Sequence, residues 1–383
     1  MHLVTSTASL LALVSSASGA PFTKREAPQG VPSYVVDYAP IVYLYSADPY
    51  RPADIMSQLD HTHPEVNFTA VSGAPDGLTL NDLSELNNLG DVYLTSDDNV
   101  ETNPAWLYGV TPNDDHKTDG AVSCAIIVND HGAEQVDVFY MYFYAFGMFY
   151  FDDLRSIYSC IDFGGDFFGL KALGFDGFNI GDHVGDWEHN MIRFQDGKPQ
   201  AIWYSQHANG EAFKYNVVEN QANPFRHLRP PLTLPLIALR YTGNVNRPVV
   251  YSANGSHANY AIKGDHDHAI PNINLPQGLI EDHTDAGPVW DPTLSAFYVK
   301  YDADSSTFTA YDENTPTDWL KFTGHWGDQQ YPKSDSRQET ILGIDGTQKY
   351  TGGPTGPEDK QLNRTKVCPD NGNDCILRSI LVP

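Results

Sequence analysis

Val136-Asp137-Val138-Phe139-Tyr140-Met141-Tyr142-Phe143-Tyr144 limits the fold more than any other stretch of the chain. Successive side chains of a strand point to opposite faces, and here both alternating sets are apolar or aromatic. Such a strand belongs at the centre of a sheet that is covered on both sides. Shorter runs read as strands around it: Ile41-Val42-Tyr43-Leu44-Tyr45, Ala121 to Val128, Ala201 to His207, Pro248 to Ser252, Phe297-Tyr298-Val299 and Phe308 to Tyr311. Helix formers are sparse, aromatics reach 12%, and Gly and Pro recur. The expected class is mainly β, a single-domain antiparallel β-sandwich with long loops and a few short helices. Arg51 to Leu59 reads as one such helix, with Pro52 in its first turn. No repeat or low-complexity linker divides residues 26–383, which read as one β domain. Phe151 to Gly181 interleaves Phe and Gly without a period, and reads as an irregular loop or a lid beside the strands that follow.

The densest polar chemistry lies in Gly181-Asp182-His183-Val184-Gly185-Asp186-Trp187-Glu188-His189. From Asp186 onward a strand places Asp186, Glu188, Asn190, Ile192 and Phe194 on one face, and Trp187, His189, Met191 and Arg193 on the other. Two carboxylates at i and i+2 stand roughly 7 Å apart at Cα, which suits a shared cation or an acid/base pair. Asp196-Gly197-Lys198-Pro199 makes a hairpin turn that returns Tyr204-Ser205-Gln206-His207 toward Asp186. Pro248 to Ser252 ends near Ser256-His257. If these strand ends meet, His183, Asp186, Glu188, His207 and His257 share one pocket. His183, Asp186 and Glu188 are the candidate metal ligands, for Mg²⁺, Ca²⁺ or Mn²⁺ rather than zinc. His189, His207 and His257 are the candidate ligand-binding residues, and Glu188 and His257 the candidate catalytic groups. The plainer alternative is a buried polar network in which Asp186 and Glu188 pair with Arg193, Arg155 or the histidines. Asp265-His266-Asp267-His268 is a further cluster able to hold metal. No nucleophile elbow, P-loop or dinucleotide fingerprint is present in the sequence.

A formal net charge of −26 opposes binding to nucleic acid or anionic membranes without intervening cations. Residues 1–20 read as a signal peptide, with Leu10-Leu11-Ala12-Leu13-Val14 as its apolar core. Lys24-Arg25 reads as a dibasic processing site that closes a propeptide over 21–25. No apolar run is long enough for a membrane span, so a monomer of the secretory pathway is expected, extracellular or vacuolar. Four cysteines suit that compartment. Cys368 and Cys375 enclose a turn-rich segment that suits a local disulfide, which leaves Cys124 to pair with Cys160, although spacing alone does not choose among the three connectivities. Asn67, Asn254 and Asn363 stand in N-glycosylation sequons.

The motif strand resembles the signature of the vacuolar protein sorting-associated protein 62 family. Tyr204-Ser205-Gln206-His207, Arg247-Pro248-Val249-Val250-Tyr251-Ser252, Gly255-Ser256-His257-Ala258-Asn259-Tyr260, Trp326-Gly327-Asp328 and Gly353-Pro354-Thr355-Gly356-Pro357 follow in that family's order, so the resemblance runs from about Pro40 to Pro369. It implies an association with vacuolar protein targeting and no defined chemistry. His183, Asp186 and Glu188 are also similar to the metal-holding positions of the necrosis-inducing protein family, secreted β-sandwiches that act on membranes. Gly185 stands where that family has a second histidine, and Asp152 or Asp153 would be a further acidic position. The expected function is a secreted or vacuolar protein whose cation-centred pocket binds a glycan or lipid head group. The alternatives are a metal-dependent hydrolase of phosphoester or glycosidic bonds, and a membrane-active effector.

Overall fold

A computed structural model describes residues 26–75, 77–150, 179–220, 246–267, 281–340 and 346–381. In chain order the strands are β1 (Ile41–Tyr43), β2 (Thr62–Val66), β3 (Thr69–Ala70), β4 (Tyr93–Ser96), β5 (Cys124–Asp130), β6 (Gln135–Tyr150), β7 (Asn179–Gln195), β8 (Lys198–Gln206) and β9 (Asn209–Lys214). There follow β10 (Val249–Ser252), β11 (Asn259–Tyr260), β12 (Gly264–Asp267), β13 (Glu281–Thr284), β14 (Val289–Trp290), β15 (Ala296–Asp302), β16 (Thr307–Ala310) and β17 (Leu377–Arg378). Two short α-helices are described, α1 (Ser33–Asp37) and α2 (Ser57–Asp60). The large sheet runs β16-β15-β5-β6-β7-β8-β9-β17, and a four-stranded sheet runs β11-β10-β1-β14. The class is mainly β, with antiparallel pairing from β5 to β9. Parallel pairing appears at both margins, β15 on β5 and β17 on β9, and again between β1 and β10.

The aromatic run lies in β6, the longest contact of β7, and its two faces feed two separate cores. Val138, Tyr140, Tyr142 and Tyr144 pack with Val42, Val250 and Trp290 of the four-stranded sheet. Phe139, Met141 and Phe143 pack on the opposite side with Trp187, Trp319, Phe322 and Trp326. Burying each of these large side chains stabilises the fold by about 1.5–3 kcal/mol, which explains why so apolar a strand has to be covered twice. Asp196 (φ 52°) and Gly197 (φ 69°) join β7 to β8 in a tight turn whose left-handed residues match the strand twist.

Two expectations change. The helix expected over Arg51 to Leu59 shrinks to α2, because the first half is held extended beside β6. Pro52 bridges to Tyr144, and the Ala53 N–H donates to the Phe143 carbonyl at 2.9 Å. The Cys368–Cys375 disulfide forms, but Cys124 is a free thiol. Its side chain sits fully buried among Ile126, Tyr142 and Trp290, and burial pushes its pKa well above the ordinary thiol value. Cys160, Arg155, Asp152, Asp153, the signal peptide and the Phe/Gly segment over 151–178 lie outside the described residues.

Candidate functional site

The site is built where β7 outruns its neighbour. Pairing of β7 with β8 starts at Asn190 opposite Tyr204, so Asp186 and Glu188 lie beyond the β8 ladder while remaining paired with Tyr144 and Tyr142 of β6. A loop takes the place of the missing strand. A Cβ on Gly185 (φ 68°) would come within 2.3 Å of the Trp326 carbonyl oxygen, and a Cβ on Gly327 within 1.8 Å of the Val184 oxygen. The two backbones therefore cross at a distance only glycine permits. Trp326 then packs edge-on to Trp187 at 5.2 Å between ring centroids, fixing the strand above Glu188.

His183, Asp186, Glu188, His207, Ser256 and Lys360 line a half-open cavity of about 320 Å³ beside this crossing. The His183 Nδ1 lies 2.7 Å from the Gly185 carbonyl oxygen. A carbonyl only accepts, so Nδ1 carries a proton, and in the neutral ring the lone pair is on Nε2. Gly147 of β6 stands opposite His183. A Cβ there would lie 3.0 Å from His183 Nε2 and 3.3 Å from Asp186 Oδ2, so both atoms converge on the space that the missing side chain leaves.

Behind them stands an ionic layer. His257 is 1% exposed, stacked on Tyr144 at 3.7 Å, and donates from Nδ1 to Asp186 Oδ2 at 2.8 Å. Its Nε2 is 3.4 Å from Asp48 Oδ2, an ion pair without hydrogen-bond alignment. Burial opposes the charge of this ring, but the two aspartates outweigh it and raise its pKa to about 9. Glu188 is 6% exposed; burial first, and the Asp186 charge second, raise it to about 8. Ser205 Oγ donates to Glu188 Oε2 and accepts from the His189 N–H at 2.9 Å. His207 Nε2 donates to Asp282 Oδ2 at 2.7 Å, and Tyr260 and Ser256 donate to the same carboxylate. Burial works against Asp282 as an anion, yet the His207 charge and these donors bring it down to about 2. The carboxylate here lies between serine and histidine. A nucleophile triad needs the imidazole in that place, so Ser256 is not activated by His207.

The comparisons agree with the motifs that meet here. The profile of the family described as vacuolar protein sorting-associated protein 62 matches residues 163–226. The vacuolar protein sorting-associated protein TDA6 of Saccharomyces cerevisiae is 34% identical over 356 residues, covering 89% of this chain and 69% of that protein. The chain belongs to the vacuolar protein sorting-associated protein 62 family. Vacuolar protein sorting-associated protein 62 of the same yeast is 31% identical over 361 residues, covering 88% of this chain and 68% of that one. No solved structure matches.

The family motifs divide into holders and liners. Arg247 is structural: it makes a buried bidentate pair with Asp291 at 2.6 and 2.7 Å and donates to the Ala39 and Pro40 carbonyls. Arg193 is spent on Asp137 at 2.8 and 2.7 Å rather than on Asp186 or Glu188. His183, Asp186, Glu188 and His207 reach one cavity, with His257 directly behind Asp186. His189 projects to the other face of β7, where Arg364 donates to its Nε2 at 2.8 Å. In the Asp265 cluster, His266 stacks on Tyr260 and bonds Thr284, while Asp265 meets Glu281 and His283 instead. His268 is outside the described residues. The sequence reading missed Asp48, Gly147, Ser205, Asp282 and Lys360. Ser205 was legible, since it lies between Tyr204 and His207 in a family motif. Asp48 gave no local signal, because it reaches His257 from the loop after β1.

Proposed function

We propose that this family member is a binding protein of the secretory or vacuolar route whose cavity holds a divalent cation through His183, Asp186 and Glu188, and through it a glycan or lipid head group. One observation carries the reading: His183 Nε2 and Asp186 Oδ2 converge on Gly147 beside a buried carboxyl that no lysine or arginine among the described residues neutralises within hydrogen-bond reach. Among the described residues only Asp265, Glu281 and His283 bring three ligand atoms within 4.8 Å of one another. His183 and Asp186 would therefore be the inner pair, with water and Glu188 completing an oxygen-rich shell of the kind that Mg²⁺, Ca²⁺ and Mn²⁺ accept. A cation would also draw the proton from Glu188, whose pKa is raised mainly by burial. The relatives' names, which refer to vacuolar sorting, support the compartment.

Thermal unfolding after chelation tests this directly. Adding Ca²⁺, Mn²⁺ or Mg²⁺ should raise Tm in a concentration-dependent way, and Gly147→Ala should abolish the rise because its Cβ presses on His183 and Asp186. No rise with any of the three ions, or an equal rise in the variant, would overturn the reading. The raised Glu188 beside a charged Asp186 favours one second reading, hydrolysis with Glu188 as proton donor. On that reading Glu188→Gln abolishes turnover while ligand binding persists; on the binding reading there is no turnover to lose.

A further inference from the structure

On the other face of β7 a second cavity of about 200 Å³ is lined by Trp187, His189, Trp203, Lys360 and Arg364, and Trp187, Glu188, His207 and Lys360 border the first cavity as well. Arg364 is 2% exposed. Its guanidinium donates to the carbonyls of Lys360 (2.8 Å), Gln361 (3.2 Å) and Val367 (3.3 Å), and to His189 Nε2 (2.8 Å). No carboxylate lies within hydrogen-bond reach of it among the described residues, and the charge lies 5.0 Å from the Phe139 ring centre instead.

The tautomer of His189 follows from that contact. A guanidinium has no lone pair to offer, so Nε2 accepts and the ring proton sits on Nδ1. That Nδ1 is buried and has no partner among the described residues, and the same holds for Nε1 of Trp187 and of Trp203. Both acids at the border are already engaged: Glu188 accepts from Ser205, and the exposed Asp359 accepts from Thr355 at 2.9 Å. The residues that line it thus include two cations and three side chains whose buried N–H groups have no partner among the described residues, in a chain of net charge −26. A water would bring donors of its own that find few acceptors. A planar carboxylate accepts in one plane only. A group with several anionic oxygens arranged tetrahedrally can answer donors from several sides.

The geometry points to this second cavity as a phosphate-binding subsite, one that takes the phosphoryl group of a phosphorylated head group presented either by a soluble ester or by a lipid. The subsite stands independently of the cation in the first cavity.

The test is a titration of the full chain with inorganic phosphate in the presence of EDTA, at ionic strength held constant with chloride. It is followed by ³¹P line broadening and by the fluorescence of the lining tryptophans. Saturable binding is expected, weakened roughly tenfold in Lys360→Gln, as befits the loss of one charge-assisted donor, and weakened again in His189→Gln. Phosphate affinity unchanged from the native chain in both variants would mean an adventitious ion only and would overturn the proposal, as would the absence of saturation. Binding seen without EDTA and lost with it would also overturn it, while leaving the cation reading of the first cavity standing. Glycerol 3-phosphate competition and cosedimentation with phosphatidylcholine vesicles doped with phosphatidic acid then separate the sources. Competition alone assigns a soluble ester, cosedimentation assigns a lipid, and either supports the subsite; failure of both contradicts it.

Discussion

Asp182 and His257 illustrate the two ways this chain buries charge. Asp182 is 3% exposed, its Oδ1 has no partner among the described residues, and burial raises its pKa to about 7 despite Lys349. The folded state therefore keeps a proton that the unfolded state releases. Below 3.8 both states are protonated and nothing is lost; between 3.8 and about 7 stability falls as pH rises. The loss amounts to about 4 kcal/mol, and urea unfolding across that range should show it in the native chain and not in Asp182→Asn. A parallel pH dependence in both would refute the assignment. His257 is buried as a cation with two aspartates as partners. His257→Gln leaves Asp48 and Asp186 facing each other without it and should cost about 3–5 kcal/mol, read from the denaturation midpoint. At this scale the sequence told which residues share a face, since strand alternation alone separates Asp186 and Glu188 from Trp187 and His189. It could not reveal His257's second partner, because nothing near Asp48 in the chain announces a contact with the loop between β10 and β11.

At the scale of elements, the crossing of β7 by the Trp326-Gly327 loop explains why glycines recur in the family motifs. Gly185, Gly327 and Gly353 lie against one another's backbones, with a Cβ on Gly353 falling 2.4 Å from the Gly327 amide. Gly327→Ala has no flexible side chain to displace and should cost about 3 kcal/mol or more, seen as a lowered Tm and a lost cation response together. Unchanged stability would mean the crossing is looser than described. The long central strands β5, β6, β7 and β8 were legible, as were β1, β10, β15 and β16, while the short two- to five-residue strands β2, β3, β4, β11, β12, β13, β14 and β17 carried no such signal. The extended path of Arg51 to Ala53 was not legible either, because a backbone hydrogen bond from the Ala53 N–H to the Phe143 carbonyl overrides local helical propensity. The Gly/Pro-rich tail read only as loop, yet it delivers Lys360 and Arg364 to the second cavity.

For the molecule as a whole, two layers packed on a doubly buried sheet leave the open end of β7 as the place where polar groups collect. Among the described residues no helix is long and apolar enough to cross a membrane. The Cys368–Cys375 disulfide closes a separation of 7 residues beside the Arg364 segment. Replacing both cysteines with serine should cost about 2–3 kcal/mol, and reduction should lower Tm of the native chain by the same route. The measurement that bears most directly on the central claim is the metal content of the purified chain, by mass spectrometry, beside a His183→Ala/Asp186→Ala double variant shown by circular dichroism to be folded. The account predicts a stoichiometric divalent cation in the native chain that is absent from the variant. No cation in either, or the same content in both, would contradict it and leave the motif as a buried polar network.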